Sequence, residues 1–524
     1  MNAGSVCRGL SAFIRTLWRR VASAGVCVGL AMVVSLAIAA GAYAATAPVW
    51  QPPILTSLAA QTAELSAADG RISDVFGRAV AISGDTIVVG APGDDDGQDR
   101  VDIDAGSVLV FVRSGGAWVV QADLAPTEPR LGGRFGQAVA VSGNTLLVGE
   151  PGGGDPAVGP GAAYAYVRSG STWTLQQKLE ADVPGISDYF GRSVALSGDT
   201  ALVASSGTTC VFTRAGSVWT QQATLPHGTG AFGDEATRSL ALSVDTAVIS
   251  NTQDESLTGA AWVYTRSGGV WTEQQKLTAS DAAQGEQFGT SVTLAGDTAL
   301  VGDAVDTTAA GERAGSVYVY TRSAGVWSQR QKLTSSDAAA GDHFGWALSF
   351  SGTTAAIGAP FCDVGGLGDV GAVYLFAFSN GVWTQRQKLT LGSARVWDWY
   401  GFSVGLSGER VVAGTPRRWT AAAAEVGAVV VHQLPPARPA ASSPKGTITA
   451  VRPTFRWQRV SSATSYEVRV YRGTTLVRKK TGAAGLSWRP STPLPRGVYL
   501  TWKVRARNVA GFGPYSATLR FKIR

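Results

Sequence analysis

Apolar and polar residues alternate with a period of two over most of the chain, and the alternation is broken at regular places by the same few turn residues. In FGRAVAISGDTIVVGAP (76–92), AVAIS and TIVVG flank Ser83-Gly84-Asp85; in AGSVLVFVRSGGAWVVQADLAP (105–126), two more alternating runs flank Gly115-Gly116. A period of two is the mark of strands with one buried face, and a two-residue Gly-containing break joins such strands as a tight hairpin. Each unit therefore predicts four short antiparallel strands. The phrase recurs: a Phe-Gly pair stands at Phe76, Phe135, Phe190, Phe232, Phe288 and Phe344, and Tyr400-Gly401 takes the seventh place, with spacings of 59, 55, 42, 56, 56 and 56. Four strands repeated at this period predict the blades of a β-propeller, here seven of them in residues 45–434.

In six units a Trp (Trp118, Trp173, Trp219, Trp271, Trp327, Trp383) opens the last strand, but the seventh unit ends at VGAVVVHQL without one. The segment PVWQPPILTSL around Trp50 supplies the missing piece, so residues near 48–58 are expected to form the outer strand of the seventh blade and to close the ring. The short Ser-Gly-Asp and Ser-Gly-Gly turns then share one face, and the long variable loops share the other.

Composition sharpens this picture. The chain has 524 residues, with 65 Gly and 16 Trp but only 2 Met, as suits many short strands and turns. Three His and four Cys leave little for zinc sites or His-based catalysis. Residues 1–44 read as a signal peptide: Arg8, Arg15, Arg19 and Arg20 precede the apolar run Val21 to Ala40, and Ala42-Tyr43-Ala44 fits a cleavage site, with an uncleaved anchor built from the run and Gly41 to Ala47 as the alternative. Export to the periplasm, cell surface or extracellular space is expected. Cys7 and Cys27 fall in that leader, and the remaining Cys210 and Cys362 exclude a disulfide framework. Charge divides the rest. Residues 45–434 hold 23 basic and 37 acidic groups, a net of −14, whereas residues 435–524 hold 18 basic groups against Glu467 alone, a net of +17. Nucleic-acid binding by the first part is disfavoured, and polyanion contact belongs to the second.

The Phe-Gly pairs, together with Gly90-Ala91-Pro92 and Gly358-Ala359-Pro360, resemble the FG-GAP repeats of integrin-α-type propellers; Gly149-Glu150-Pro151, Gly302-Asp303-Ala304 and Gly414-Thr415-Pro416 are looser copies. The resemblance implies adhesion-like binding of an extracellular protein or glycan. Integrin-type calcium loops lie between the two halves of the motif, where this chain has only Ser83-Gly84-Asp85 and its counterparts, so those sites do not carry over. The candidate recognition residues are Asp94, Asp95, Asp96, Asp99, Asp102 and Asp104 on the long-loop face of the first unit; calcium there is the one cofactor left open.

Two catalytic motifs fail on context. Gly401-Phe402-Ser403-Val404-Gly405 matches a hydrolase elbow but aligns with an inner strand, and Gly366-Leu367-Gly368-Asp369-Val370-Gly371 is followed by a strand rather than a phosphate-binding helix. No catalytic residue is assigned, and a non-enzymatic monomer is expected; a polysaccharide-active hydrolase or lyase and a structural spacer are the alternative classes.

Past a Pro/Ala/Ser linker at 435–446, six or seven short strands in residues 447–524 predict a small β-sandwich. Trp457, Tyr466, Trp488, Tyr499 and Trp502, with GFGPYS near the end, resemble a fibronectin type III domain.

Overall fold

The computed structural model describes residues 59–95, 104–152, 160–182, 189–227, 239–420 and 425–524. The expected leader and Trp50 lie outside them. Among the described residues are seven four-stranded antiparallel sheets. The first blade runs Ala79–Ser83, Thr86–Ala91, Ser107–Ser114 and Ala117–Leu124, and the fifth runs Ser291–Ala295, Thr298–Asp303, Ser316–Ser323 and Val326–Leu333. Each innermost strand touches that of the next blade, and Ser403–Ser407 of the seventh returns to Ala79–Ser83 of the first. The ring is closed. An apolar cluster fills each of the seven seams between neighbouring blades.

The seventh blade is completed by the N-terminal side of the chain, but by a different segment from the one the Trp pattern predicts. Ala60–Leu65 pairs antiparallel with Ala428–Gln433, from Ala60↔Gln433 to Leu65↔Val429. In the first six blades the pairing of third and fourth strands slips by one residue at the same place, and the slip recurs here between Gln61 and Ala63. The place of the blade-opening Trp falls on Ala59: Gln387 Oε1 accepts its backbone N–H at 2.7 Å, as Gln331 Oε1 accepts that of Trp383 at 2.9 Å. Register and hydrogen bonding, not the aromatic ring, identify the closing strand.

The Phe-Gly and Gly-Ala-Pro elements are two halves of a joint between blades. In the fifth-to-sixth joint, Phe344 N donates to Ala314 O at 3.0 Å, and the Phe344 carbonyl lies where Gly315 would carry a Cβ, 2.2 Å from it. The following Gly345 carbonyl lies 2.2 Å from the Cβ position of Gly302. Backbone approaches this close admit no side chain. The ring of Phe344 is fully buried and meets Tyr374 edge-on at 5.4 Å, the favourable aromatic geometry. Equivalent contacts unite Gly106 with Phe135, Gly161 with Phe190, Gly259 with Phe288, Gly371 with Tyr400 and Gly427 with Phe76.

The joint between the third and fourth blades departs from this rule. The other six aromatics stand seven residues before the last residue of their inner hairpin strand, and counting back from Ser243 in Leu240–Ser243 reaches Ala236, not Phe232. Phe232 thus stands four residues before the place that this count reaches, and it lies outside the described residues. The third blade matches this loss. Ala204 stands where five of the other blades have the close-approach glycine, the fourth having Ser250, and no described residue lies within 4 Å of the Cβ position of Gly207.

The C-terminal region has two sheets around one core. Ala441–Ser443, Phe455–Trp457 and Ser487–Trp488 form the smaller; Gly446–Ile448, Leu519–Ile523, Tyr499–Asn508, Ser465–Arg472 and Thr475–Ala483 form the larger. Phe455, Trp457, Val468, Val470, Trp502 and Phe521 pack between them. The expected linker at 435–446 is shorter than its composition implies, because strand pairing begins at Ala441. Its start is also clasped: Asn508 Nδ2 donates to Leu434 O at 2.8 Å, and the Cα of Gly513 packs against the Pro436 backbone.

Candidate ligand site at the channel mouth

The two faces of the ring are built differently. On the tight-turn face, arginines at the ends of third strands form a belt. Arg266 Nε donates to Asp245 at 2.7 Å, its Nη1 donates to Thr200 Oγ1 of the preceding blade at 3.0 Å, and its guanidinium lies 5.2 Å over the Trp271 ring. Arg322 repeats this with Asp297, Thr246 and Trp327, and Arg214 pairs with Asp199 over Trp219. Asp85 is taken by Arg410 of the seventh blade at 2.8 Å. The turn carboxylates Asp85, Asp199 and Asp297 are thus part of the scaffold.

At the opposite end of the inner strands, the three residues after each Phe-Gly line a cavity of about 370 Å³ on the ring axis. Since the inner strands run from Phe-Gly to the Ser-Gly-Asp turn, this cavity opens on the long-loop face. Its leading positions differ from blade to blade: Arg78, Gln137, Arg192, Thr290, Trp346 and Phe402. The cations sit on the first and third blades and the aromatics on the sixth and seventh. Trp346 packs against Phe361 and Phe402, both at 5.3 Å, and Trp399 stacks on Phe402 at 5.9 Å. Arg78 lies 4.6 Å over Phe402, and Arg417 lies 4.8 Å over Trp399. Nearby in sequence, Trp397 and Trp419 are 55% and 47% exposed. No carboxylate lines the cavity among the described residues.

The predicted acidic loop is only partly described. Asp96, Asp99 and Asp102 lie outside the described residues. Asp95 Oδ1 accepts the backbone N–H of Asp104 at 3.2 Å, and the Asp94 carbonyl accepts that of Gly106 at 2.8 Å, so these groups pin the loop's neck. Elsewhere the residue at the place of Asp94 meets an oppositely charged or polar group from the fourth strand: Asp254 with Lys276 and Asp306 with Lys332, both at 2.6 Å, and Cys362 with Lys388 at 3.2 Å. The seventh blade reverses the charges, Arg418 meeting Glu64 at 3.0 Å and buried Asp398 at 2.8 Å. In the first blade the lysine place holds Asp123 instead. Its carboxyl is raised by burial and by Asp69 and Asp94, and that of Asp74 is raised by burial and by repulsion from Asp94, Asp95 and Asp69, to about 7. This corner is the acidic pole of the long-loop face. Among the described residues, no three His, Cys, Asp or Glu side chains are grouped to hold a metal ion.

Ser403 of the elbow-like motif sits in an inner strand and donates to the Gly77 carbonyl at 2.8 Å; a second strand follows it, not a helix. Sequence reasoning missed the channel-lining residues. Their signal was present: the position after Phe-Gly varies among Arg, Gln, Thr, Trp and Phe while its neighbours stay small or aliphatic.

Asp303 is fully buried, and burial first, then Asp306 and Glu286, push its carboxyl up to about 9 against the opposing pull of the Val305 backbone and Lys332. A carboxyl raised in the folded state binds its proton more tightly there than when unfolded. Its contribution is therefore complete below about pH 4 and is lost as pH rises toward 9. Thermal unfolding across pH 4–9 should show D303N less sensitive to alkali than the parent and, at pH 8, more stable by at least ~2 kcal/mol. Parallel curves would show that Asp303 ionises freely.

The FG-GAP repeat model matches residues 60–111, 118–166, 173–218, 271–320 and 327–376. No curated protein matches the chain. Among solved structures, a chain from a complex of S. cerevisiae Dbp5 with Nup159, Gle1, IP6 and ADP is similar over 73% of this chain and 97% of that one, at 9% identity and a TM-score of 0.40. The unmatched stretches hold the fourth blade, without a Phe-Gly in register, and the seventh, with Tyr400-Gly401 and a threonine in its Gly-Thr-Pro. The chain is an all-β protein that carries five recognisable FG-GAP repeats in a ring of seven four-stranded sheets.

Proposed function

We propose that this chain is an exported, non-enzymatic binding protein that takes a glycan or an extracellular protein at the channel mouth of its long-loop face. The observation that carries the reading is the composition of that mouth: half-buried Trp346, backed by the buried Phe402, offers apolar ring surface on one side, and Arg78, Gln137 and Thr290 offer polar groups on the others. Aromatic faces stack on the C–H faces of sugar rings or on protein side chains, and a few polar groups fix orientation. Polysaccharide hydrolysis needs a pair of carboxylates around the bond, and the lining residues supply none among those described. Export rests on the cationic and apolar character of residues 1–44. The C-terminal module is read as fibronectin type III-like from its aromatic pattern and two-sheet build, and as an accessory to the propeller.

The test is a glycan and cell-surface-protein array probed with the chain from residue 45. Binding to a defined ligand without product release is expected, and W346A should weaken it by roughly tenfold or more with little change in melting. Turnover of a bound glycan, or unchanged binding by W346A, would overturn the reading.

A further inference from the structure

The larger C-terminal sheet has one face in the core and one in solvent, and apart from Glu467 the charged residues of the solvent face are cations. Along Tyr499–Asn508, Leu500, Trp502, Val504 and Ala506 point inward and are buried, so Lys503 and Arg505 point outward. Pairing sets Arg469 opposite both Lys503 and Lys479, and sets Arg520 and Lys522 opposite Thr501 and Tyr499. The one carboxylate there is Glu467. It lies 2.9 Å from Arg469 and from Arg505 and 3.1 Å from Lys479, and it accepts a hydrogen bond from Tyr515. One acid thus ties three cations into a sheet, and Lys503, Arg520 and Lys522 make no ion pair with it.

We infer that this face is a docking surface for a linear anionic polysaccharide, one bearing sulfate or carboxylate groups along its chain. Cations spaced by the strand and residue repeats of a sheet form a flat grid, which suits a polymer of regularly repeated charge. The propeller region, at net −14, repels such a polymer, so the sheet face is where the chain's positive charge can meet it. The aromatic rings argue against single-stranded nucleic acid, whose binding rests on open ring faces. Here a cation sits over one face of each ring, Arg520 over the exposed Tyr499 at 3.7 Å, Arg505 over Phe512 at 4.0 Å and Lys503 over Tyr515 at 4.5 Å, so a stacking base would have to displace it.

The experiment titrates the chain from residue 45 with dextran sulfate, with neutral dextran, a single-stranded oligonucleotide and phosphatidylglycerol-containing vesicles as separate arms. Dextran sulfate should bind, more weakly as salt rises, and neutral dextran should not. The K503Q/R520Q/K522Q variant should keep its melting temperature, lose at least ~30-fold in affinity, and show a salt slope shallower by roughly three. Absence of dextran sulfate binding, unchanged affinity in the triple variant, or tighter binding to the oligonucleotide or vesicles would each overturn the assignment. None of these outcomes bears on the channel mouth, which W346A tests separately.

Discussion

Removal of Ala59–Leu65 is expected to open the ring and cost several kcal/mol of stability. Among the described residues this segment alone is a fourth strand that reaches its blade from the far end of the propeller sequence. Without it the edge of Ala428–Gln433 would be unpaired, and Leu65 would leave the seam it shares with Phe76, Val429 and Val431. Burial of a leucine in such a seam is worth about 2–5 kcal/mol by itself. Loss of Glu64 would add the cost of a buried Arg418–Asp398 pair left without one of its partners. An exposed strand edge also invites pairing between chains. Chemical denaturation and size-exclusion chromatography would measure the effect, with a chain starting at Ala59 as the control. Equal stability and a monomeric profile for the deletion would show that closure contributes nothing.

Substitution of Gly315 by alanine is the second large effect. Gly315 has φ of +82°, and a Cβ there would sit 2.2 Å from the Phe344 carbonyl oxygen and 2.6 Å from its nitrogen. Adopting the backbone conformation costs an alanine about 1–2 kcal/mol. Relieving the overlap must also push two blades apart at a packed seam, so a total of about 3–5 kcal/mol is expected. Gly207 separates the two causes, since it has nearly the same φ of +86° with no described atom within 4 Å of its Cβ position. G207A should pay the conformational cost alone. Urea unfolding of both variants decides it, and equal losses would mean that the close contact yields without strain.

The fold was legible where the physics is local. Alternation, two-residue turns and a recurring Phe-Gly pair mark strands, hairpins and joints, and each of those depends on residues near one another in sequence. The errors arose where a long-range partner decides the outcome. Ala59 carries no aromatic signal, and what seats its strand is the side chain of Gln387 and the edge of Ala428–Gln433. The reversed charges of Glu64 and Arg418 make sense only once the two are in contact. Phe232 misled because the pair itself was present, four residues out of step with the hairpin that follows. In the site, the acidic loop stood out by composition, whereas the channel mouth draws one residue from each of several blades and becomes a site only when the ring closes.

The matched repeats begin at the fourth strand of one blade and end in the third strand of the next, as in residues 118–166, which span Ala117–Leu124 and the first three strands of the second blade. Each copy of the repeat is therefore a tile set one strand out of phase with the sheets, lending its first strand to the preceding blade. Duplication or loss of a whole copy would add or remove a blade without leaving any strand unmatched, because the first tile always brings the strand that the last blade lacks. Such a chain can change the circumference of its ring, and with it the width of the channel and the number of side chains at its mouth, while keeping the same rule of closure.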